Sequence, residues 1–269
     1  MDHATALLRA YDTQLRTDAE TSSALAVTRL GPLHLARYEG GRGFVTYQDL
    51  GRPDAAEVRR LVAGAVDHFR ADPSVVRAEW KTRGHDHAPG LHETLLEHGF
   101  VPEDPESVMV GDAHALAVEV PLPPGVTLRQ ITREADVRAM CRMQAEVFGH
   151  ADDGGARDAD EQLRRLAAGE DLELWVAETE DGRVVSAGRL EPVDGTEFAG
   201  IWGGCTRKEW RGRGVYRALT AARARSAITR GKRLVHSDST EYSRPILERY
   251  GFLRVTTTTP YEWSRGPGE

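Results

Sequence analysis

The chain has 269 residues, 40% of them hydrophobic, a formal net charge of −7 and two cysteines, Cys141 and Cys205. That is enough apolar material for one large core or two of ordinary size, and two is the expectation. No window approaches about eighteen uninterrupted apolar residues, and the N-terminal run MDHATALLRAYDTQLRTD is charged throughout. Neither membrane spanning nor export is expected, and a soluble, cytoplasmic protein with reduced thiols is expected.

In chain order, alternating apolar residues predict strands over 33–39 and 43–48, a helix over 55–71 and a strand over 75–82. A short helix closing in Gly99-Phe100 and a strand SVMV follow. Between the second strand and the helix lies Asp49-Leu-Gly-Arg-Pro-Asp54, whose acids would face an incoming phosphate, so no nucleotide is expected there. An alternating run, ALAVEV, then leads into the Pro-rich joint Pro121-Leu-Pro-Pro-Gly125, read as a domain linker.

Beyond the joint come a strand VTLRQI, helices over 135–148 and near 159–168, and two period-2 runs joined by Asp181-Gly182, a hairpin signal. A strand over 198–206, a Gly-rich loop, a helix over 215–229, a strand over 233–237, a helix over 242–250 and a last strand complete the order β-α-α-β-β-β-α-β-α-β. Like the first half, this half closes in a helix ending Gly251-Phe252. The two Gly-Phe pairs lie 152 residues apart, as in a diverged tandem repeat.

The stretch RGRGVYRAL, Arg211 to Leu219, follows the strand FAGIWGGCT after four residues. A strand running into such a turn exposes backbone N–H groups at a helix N-terminus, a spot suited to a diphosphate. From Arg207 to Arg233 there are ten Lys/Arg against one acid, Glu209. The segment therefore carries +9 and the remainder −16. A compact polyanionic ligand fits that pattern; nucleic acid, with its long phosphate tracks, does not.

Element order, the stretch GGCTRKEWRGRGVYRAL and the closing RYGF together resemble the GNAT superfamily of acyl-CoA-dependent N-acyltransferases, over residues 126–263. The first half looks like a degenerate copy, so the chain is similar to tandem GNAT proteins. The resemblance implies an α/β (α+β) fold of two GNAT-like domains, each a mixed, mostly antiparallel twisted sheet flanked by helices. The expected division is a domain without phosphate loop at 1–120, a linker at 121–125 and the acetyltransferase domain at 126–269.

It also implies acetyl-CoA as co-substrate, bound by Arg211, Gly212, Arg213, Gly214, Val215, Tyr216 and Arg217, with the thioester against Gly204, Cys205 and Thr206 and a contribution from Ser243. Tyr216 stands where the family carries a small residue, so its ring must point away or replace a cofactor contact. The family's usual proton-donating Tyr is Leu247 here. Ser243 and Tyr250, one turn to either side, are the substitutes, with solvent as the third source. The resemblance makes Glu197 the candidate base, rivalled by Glu191 and by His236 and Asp238, which share a strand face.

Other readings compete. The histidines at 85, 87, 92 and 98 lie in a polar loop and helix with irregular spacing for a metal, and no metal is expected. Cys205 reads as a small strand residue rather than a nucleophile, and Trp175, Trp202 and Trp210 as core or rim aromatics, with Trp202 near the thioester region. The expected activity is transfer of an acetyl group to a primary amine of a small molecule by direct attack in a ternary complex. The acidic remainder tilts that amine toward a cationic one. Neither nucleic acid nor membrane is expected as a partner, and a monomer or homodimer is expected. The alternative is a non-catalytic acyl-CoA binder or scaffold derived from such an enzyme.

Overall fold

The structure, a computed structural model, describes residues 2–149 and 153–266. Its chain divides into two compact units that do not follow the linear order. The first comprises Met1–Met109, Asp238–Pro245 and Arg254–Glu269, and the second Val110–Ser237 and Ile246–Leu253.

The first unit begins with helix α1 (His3–Gln14), capped by the Asp2 carboxylate on the Thr5 amide. Strands β1 (Ala26–Leu30), β2 (Leu33–Tyr38) and β3 (Arg42–Thr46) form an antiparallel meander. Helix α2 (Ala55–Ala71) then crosses over to β4 (Arg77–Lys81), which lies parallel to β3. Its buried Val58, Leu61, Val62, Ala65, Val66 and Phe69 recur at helical spacing and pack on Leu33, Leu35, Val45 and Trp80. After α3 (Leu91–Glu97) and β5 (Val101–Pro102), strand β6 (Glu106–Asp112) ends in the second unit.

The predicted strand-like run ALAVEV is not a strand. Asp112 caps a short helix α4 (Ala113–Leu116) through the Ala115 amide, and the chain beyond it is irregular. The Pro-rich segment is no free linker either, since it belongs to the second unit and Leu122 packs against its buried Val126, Ala177, Val185 and Val215.

In the second unit, β7 (Val126–Ile131), β8 (Glu173–Thr179), β9 (Val184–Pro192) and β10 (Phe198–Thr206) pair antiparallel in sequence. Strand β11 (Leu234–Ser239) joins β10 in parallel. Helices α5 (Glu134–Phe148) and α6 (Ala156–Ala167) cover one face, burying Val137, Met140 and Met143 against Leu174, Val176 and Cys205. Ala177 and Val185 point to the other face, where α7 (Val215–Thr229) begins with the buried Val215.

Helix α8 (Arg244–Tyr250) leads into β12 (Leu253–Thr258) and β13 (Pro260–Ser264). The last of these lies in the first unit's sheet between β4 and β5, with Tyr261 opposite Trp80 and both Tyr261 and Trp263 in that core. The first unit's order is thus β1-β2-β3-β4-β13-β5. Contiguous domains at 1–120 and 126–269 miss this arrangement, because alternation marks a residue for burial without saying in which sheet. Helix α1 and strand β1 were not legible: α1 buries only Leu7 and Tyr11, and β1 is an exposed edge.

Candidate active site

Strand β10 pairs with β11 only over Phe198, Ala199 and Gly200, opposite Leu234, Val235 and His236, and then runs on for six residues without it. A bulge between Trp202 and Cys205, with Gly203 at φ +60°, bends its free end. This end carries Gly204, Cys205 and Thr206, so the structure opens β10 where the thioester contact was expected.

From there a single 3₁₀ turn, Lys208–Trp210, leads to Arg211, whose Nε donates to the Thr206 carbonyl at 3.0 Å and ties the loop to the strand end. Gly214 caps α7 at φ +80° with no side chain on the helix amides. The amides of Gly212, Arg213, Gly214, Val215, Tyr216 and Arg217 donate no hydrogen bond among the described residues. Six N–H groups beside a helix start are therefore available to one ligand.

The basic segment resolves into two ends. At its C-terminal end, Arg230 pairs with Glu173 at 2.9 Å and Arg233 with Glu197 at 2.7 Å, and Lys232 donates to the carbonyls of Val193 and Thr196. At the loop, Lys208, Arg211, Arg213 and Arg217 have no carboxylate partner among the described residues; Arg213 lies over the Trp210 ring and Arg217 over that of Tyr250. The uncompensated charge thus sits beside the free amides.

Tyr216 does not point away. A Cβ placed on Gly204 would come within 2.7 Å of the Tyr216 hydroxyl, so this ring lies across the free end of β10. Tyr250, expected as a substitute acid, faces the same helix, its ring 6.3 Å from that of Tyr216. Burial first, and then the Tyr216 ring, push its phenol above the usual range against the pull of Arg217.

The remaining candidates are placed elsewhere. Glu197 precedes β10, at the end of the strand away from Gly204, and is salt-bridged to Arg233. Ser243 precedes α8 instead of lying on it; its hydroxyl is within 3.2 Å of the Thr240 hydroxyl, and it is assigned to the first unit. The helix starts late because Pro245 fits its first turn without an N–H. Leu247 is core. Asp238 is held by Lys81 at 2.6 Å within the first unit.

His236 is buried in the second unit, edge-on to Phe198 and Trp202 with centroids at 5.8 and 5.2 Å. Near it, Glu191 is bound by Arg189 at 2.6 Å and Arg165 at 3.1 Å, which outweigh burial and keep it below the usual carboxylate range. Gln144 donates to the Gly203 carbonyl at 2.7 Å. Polar side chains and Trp202 thus surround the bulge, and of these Gln144 and Arg189 carry no spacing or motif in the sequence that marks them.

Burial pushes the Cys205 thiol up to about 12, and its Sγ rests 3.8 Å from Met143 Sδ, which makes it a packing residue. His85 contacts Asp12 and Thr256, His92 the Tyr261 hydroxyl, and His98 the Thr94 carbonyl. Among the described residues no group of three or more His, Cys, Asp or Glu is arranged to hold a metal ion. No helix among them is long and apolar enough to cross a membrane.

Comparison with known proteins agrees with this geometry. A search of curated proteins gives no match. Among solved structures, a GCN5-related N-acetyltransferase from Kribbella flavida is similar with a TM-score of 0.66 at 18% identity, covering 99% of this chain and 97% of that one. A tandem GNAT protein from the clavulanic acid biosynthesis pathway has a TM-score of 0.63 at 18% identity over 90% and 83% of the two chains. A GCN5-related N-acetyltransferase from Sphaerobacter thermophilus has a TM-score of 0.57 at 18% identity over 88% and 77%. Residues 138–252 match the model of the Acetyltransferase (GNAT) family, so the open strand, the loop and α7 are parts of a GNAT-family domain, set in a chain with the fold of tandem GNAT proteins.

Proposed function

We propose that the second unit binds acetyl-CoA at Arg211 to Arg217 and transfers the acetyl group to a primary amine of a small molecule by direct attack. The observation that carries this reading is the row of six unengaged amides at the start of α7, beside Lys208, Arg211, Arg213 and Arg217. Such a cradle fits a diphosphate in charge and in hydrogen-bonding capacity, and the positive φ at Gly214 keeps a side chain out of it.

The thioester, when bound, supplies an activated acyl group. The chain's own residues do the rest. The cradle fixes the donor by its far end, so that binding energy remote from the reacting carbonyl is spent on orientation. The free end of β10 offers the backbone of Gly204 to Thr206 to the developing oxyanion. The acceptor amine is assigned to the wall formed by Gln144, Arg189, Glu191, Trp202 and His236, with the acidic remainder of the chain favouring a cationic amine. Two buried free thiols suit a reducing, cytoplasmic setting.

The test is calorimetry with acetyl-CoA, followed by mass spectrometry of a panel of small amines incubated with enzyme and donor. One acetylated amine establishes the reading. Binding without acetylation of any amine favours a scaffold or sensor, and absence of binding removes the reading.

A further inference from the structure

Arg223, on the third turn of α7, is completely buried. Its guanidinium has no carboxylate partner among the described residues; it reaches the Arg189 carbonyl at 3.2 Å, the Leu219 carbonyl at 3.4 Å and the Thr220 hydroxyl at 3.5 Å. A buried, unpaired charge is costly and calls for a compensating group. Burial draws the guanidinium below its usual range, and the neighbouring Tyr216 phenol opposes that shift.

Two glycines make room for this pair. A Cβ on Gly188 would meet Arg223 Nη1 at 2.6 Å, and one on Gly204 would meet the Tyr216 hydroxyl at 2.7 Å. With no side chain at either position, Tyr216 reaches across the free end of β10 and Arg223 lies against Gly188. The hydroxyl therefore stands where the sequence expected the thioester, and Leu247, at the position of the expected acid, is sealed in the core.

We infer, resting on the acyl-transfer reading, that the Tyr216 hydroxyl donates a hydrogen bond to the thioester sulfur and gives it a proton as it leaves, with Arg223 as the positioning residue behind it. As the amine nitrogen forms its bond to the carbonyl carbon and the carbon–sulfur bond breaks, the bonding pair goes to sulfur. Tyr216 delivers its phenolic proton there and is left as a phenolate facing Arg223. The acylated nitrogen releases its extra proton to solvent, and solvent returns one to Tyr216, so protons and charge balance over the cycle.

The test needs no acceptor. Wild-type protein and Tyr216→Phe are titrated calorimetrically with coenzyme A and with its desulfo analogue. The wild type should prefer coenzyme A, and Tyr216→Phe should weaken coenzyme A by about three- to tenfold while leaving the desulfo analogue unchanged. Gly204→Ala, whose methyl displaces the hydroxyl, should act in the same direction. Equal loss for both ligands would make the ring a packing element, and no loss, or tighter binding of both by Tyr216→Ala, would make it an obstruction; each overturns the inference and leaves the acyl-transfer reading standing. If the wild type binds neither ligand, the acyl-transfer reading fails and this inference fails with it.

Discussion

The same supersecondary unit occurs twice, and the two copies are finished in opposite ways. In the first unit, β3 feeds a loop and α2, and β4 returns parallel; in the second, β10 feeds a loop and α7, and β11 returns parallel. The first copy turns carboxylates on its own loop: Asp49 accepts from the Gly51 amide and Asp54 from that of Glu57, each at 2.8 Å, and Pro53 has no N–H to offer. The second presents its amides unengaged behind Gly214.

The strand ends differ in the same sense. Past β3, Arg16 donates to the Tyr47 carbonyl and pairs with Asp86 at 2.8 Å, and Thr46 is bonded to Glu20. Past β4, Arg83 pairs with Glu20 at 2.6 Å and donates to the Tyr11 hydroxyl at 2.8 Å. The segment from Tyr11 to Glu20 thus closes the first copy with a buried polar network, whereas β10 carries Gly203 and Gly204 just before its end. One topology becomes a sealed scaffold or an open cleft through carboxylates in one loop and glycines in the other.

The largest effect on this comparison comes from cutting the chain at its Pro-rich segment. Fragments 1–120 and 124–269 should each fail to fold as a soluble monomer, because β13, with Tyr261 and Trp263, belongs to the first unit's core. Co-expression should restore a stoichiometric complex. A well-folded monomeric 124–269 fragment on size exclusion, with sharp amide resonances, would break the account of the fold.

Next in size, Arg83→Met strands Glu20 without its cation and should cost about 3–5 kcal/mol in denaturant unfolding. Acetyl-CoA affinity should not change. The same pair sets an acid limit. Burial raises the Glu20 pKa, but Arg83 and Lys81 more than offset this and hold it below the usual value. Its stabilisation is therefore complete above the unfolded carboxylate pKa of about 4.3 and is lost as pH falls through the lower folded value. Glu20→Gln should flatten the acid limb of the melting temperature against pH; an unchanged limb would assign acid unfolding to other groups.

The smallest effect is Asp54→Ala, the loss of one helix cap, at about 1 kcal/mol. It frees an amide in the first loop without supplying cations, so no second acetyl-CoA site should appear in titration.

The turn into α7 was legible because its geometry is local: glycines where φ is positive and a helix start behind them, all within RGRGVYRAL. The catalytic candidates were not, because they depend on where strands end and helices begin. Ser243 missed its helix by one residue, Glu197 sits at the wrong end of β10, and Tyr216 was read as a loop substitution although its ring crosses the strand. The basic segment misled in part, since Arg230 and Arg233 pair with Glu173 and Glu197, which lie outside it in sequence.

The central claim, one open cradle in the second unit and none in the first, is tested most directly by calorimetric titration of the full chain with acetyl-CoA, wild type beside Gly214→Asp. The account expects one site per chain in the wild type and a loss of about a hundredfold in the variant, from a side chain at positive φ and a negative charge among the amides. Two sites per chain, or an affinity that Gly214→Asp leaves unchanged, would contradict it.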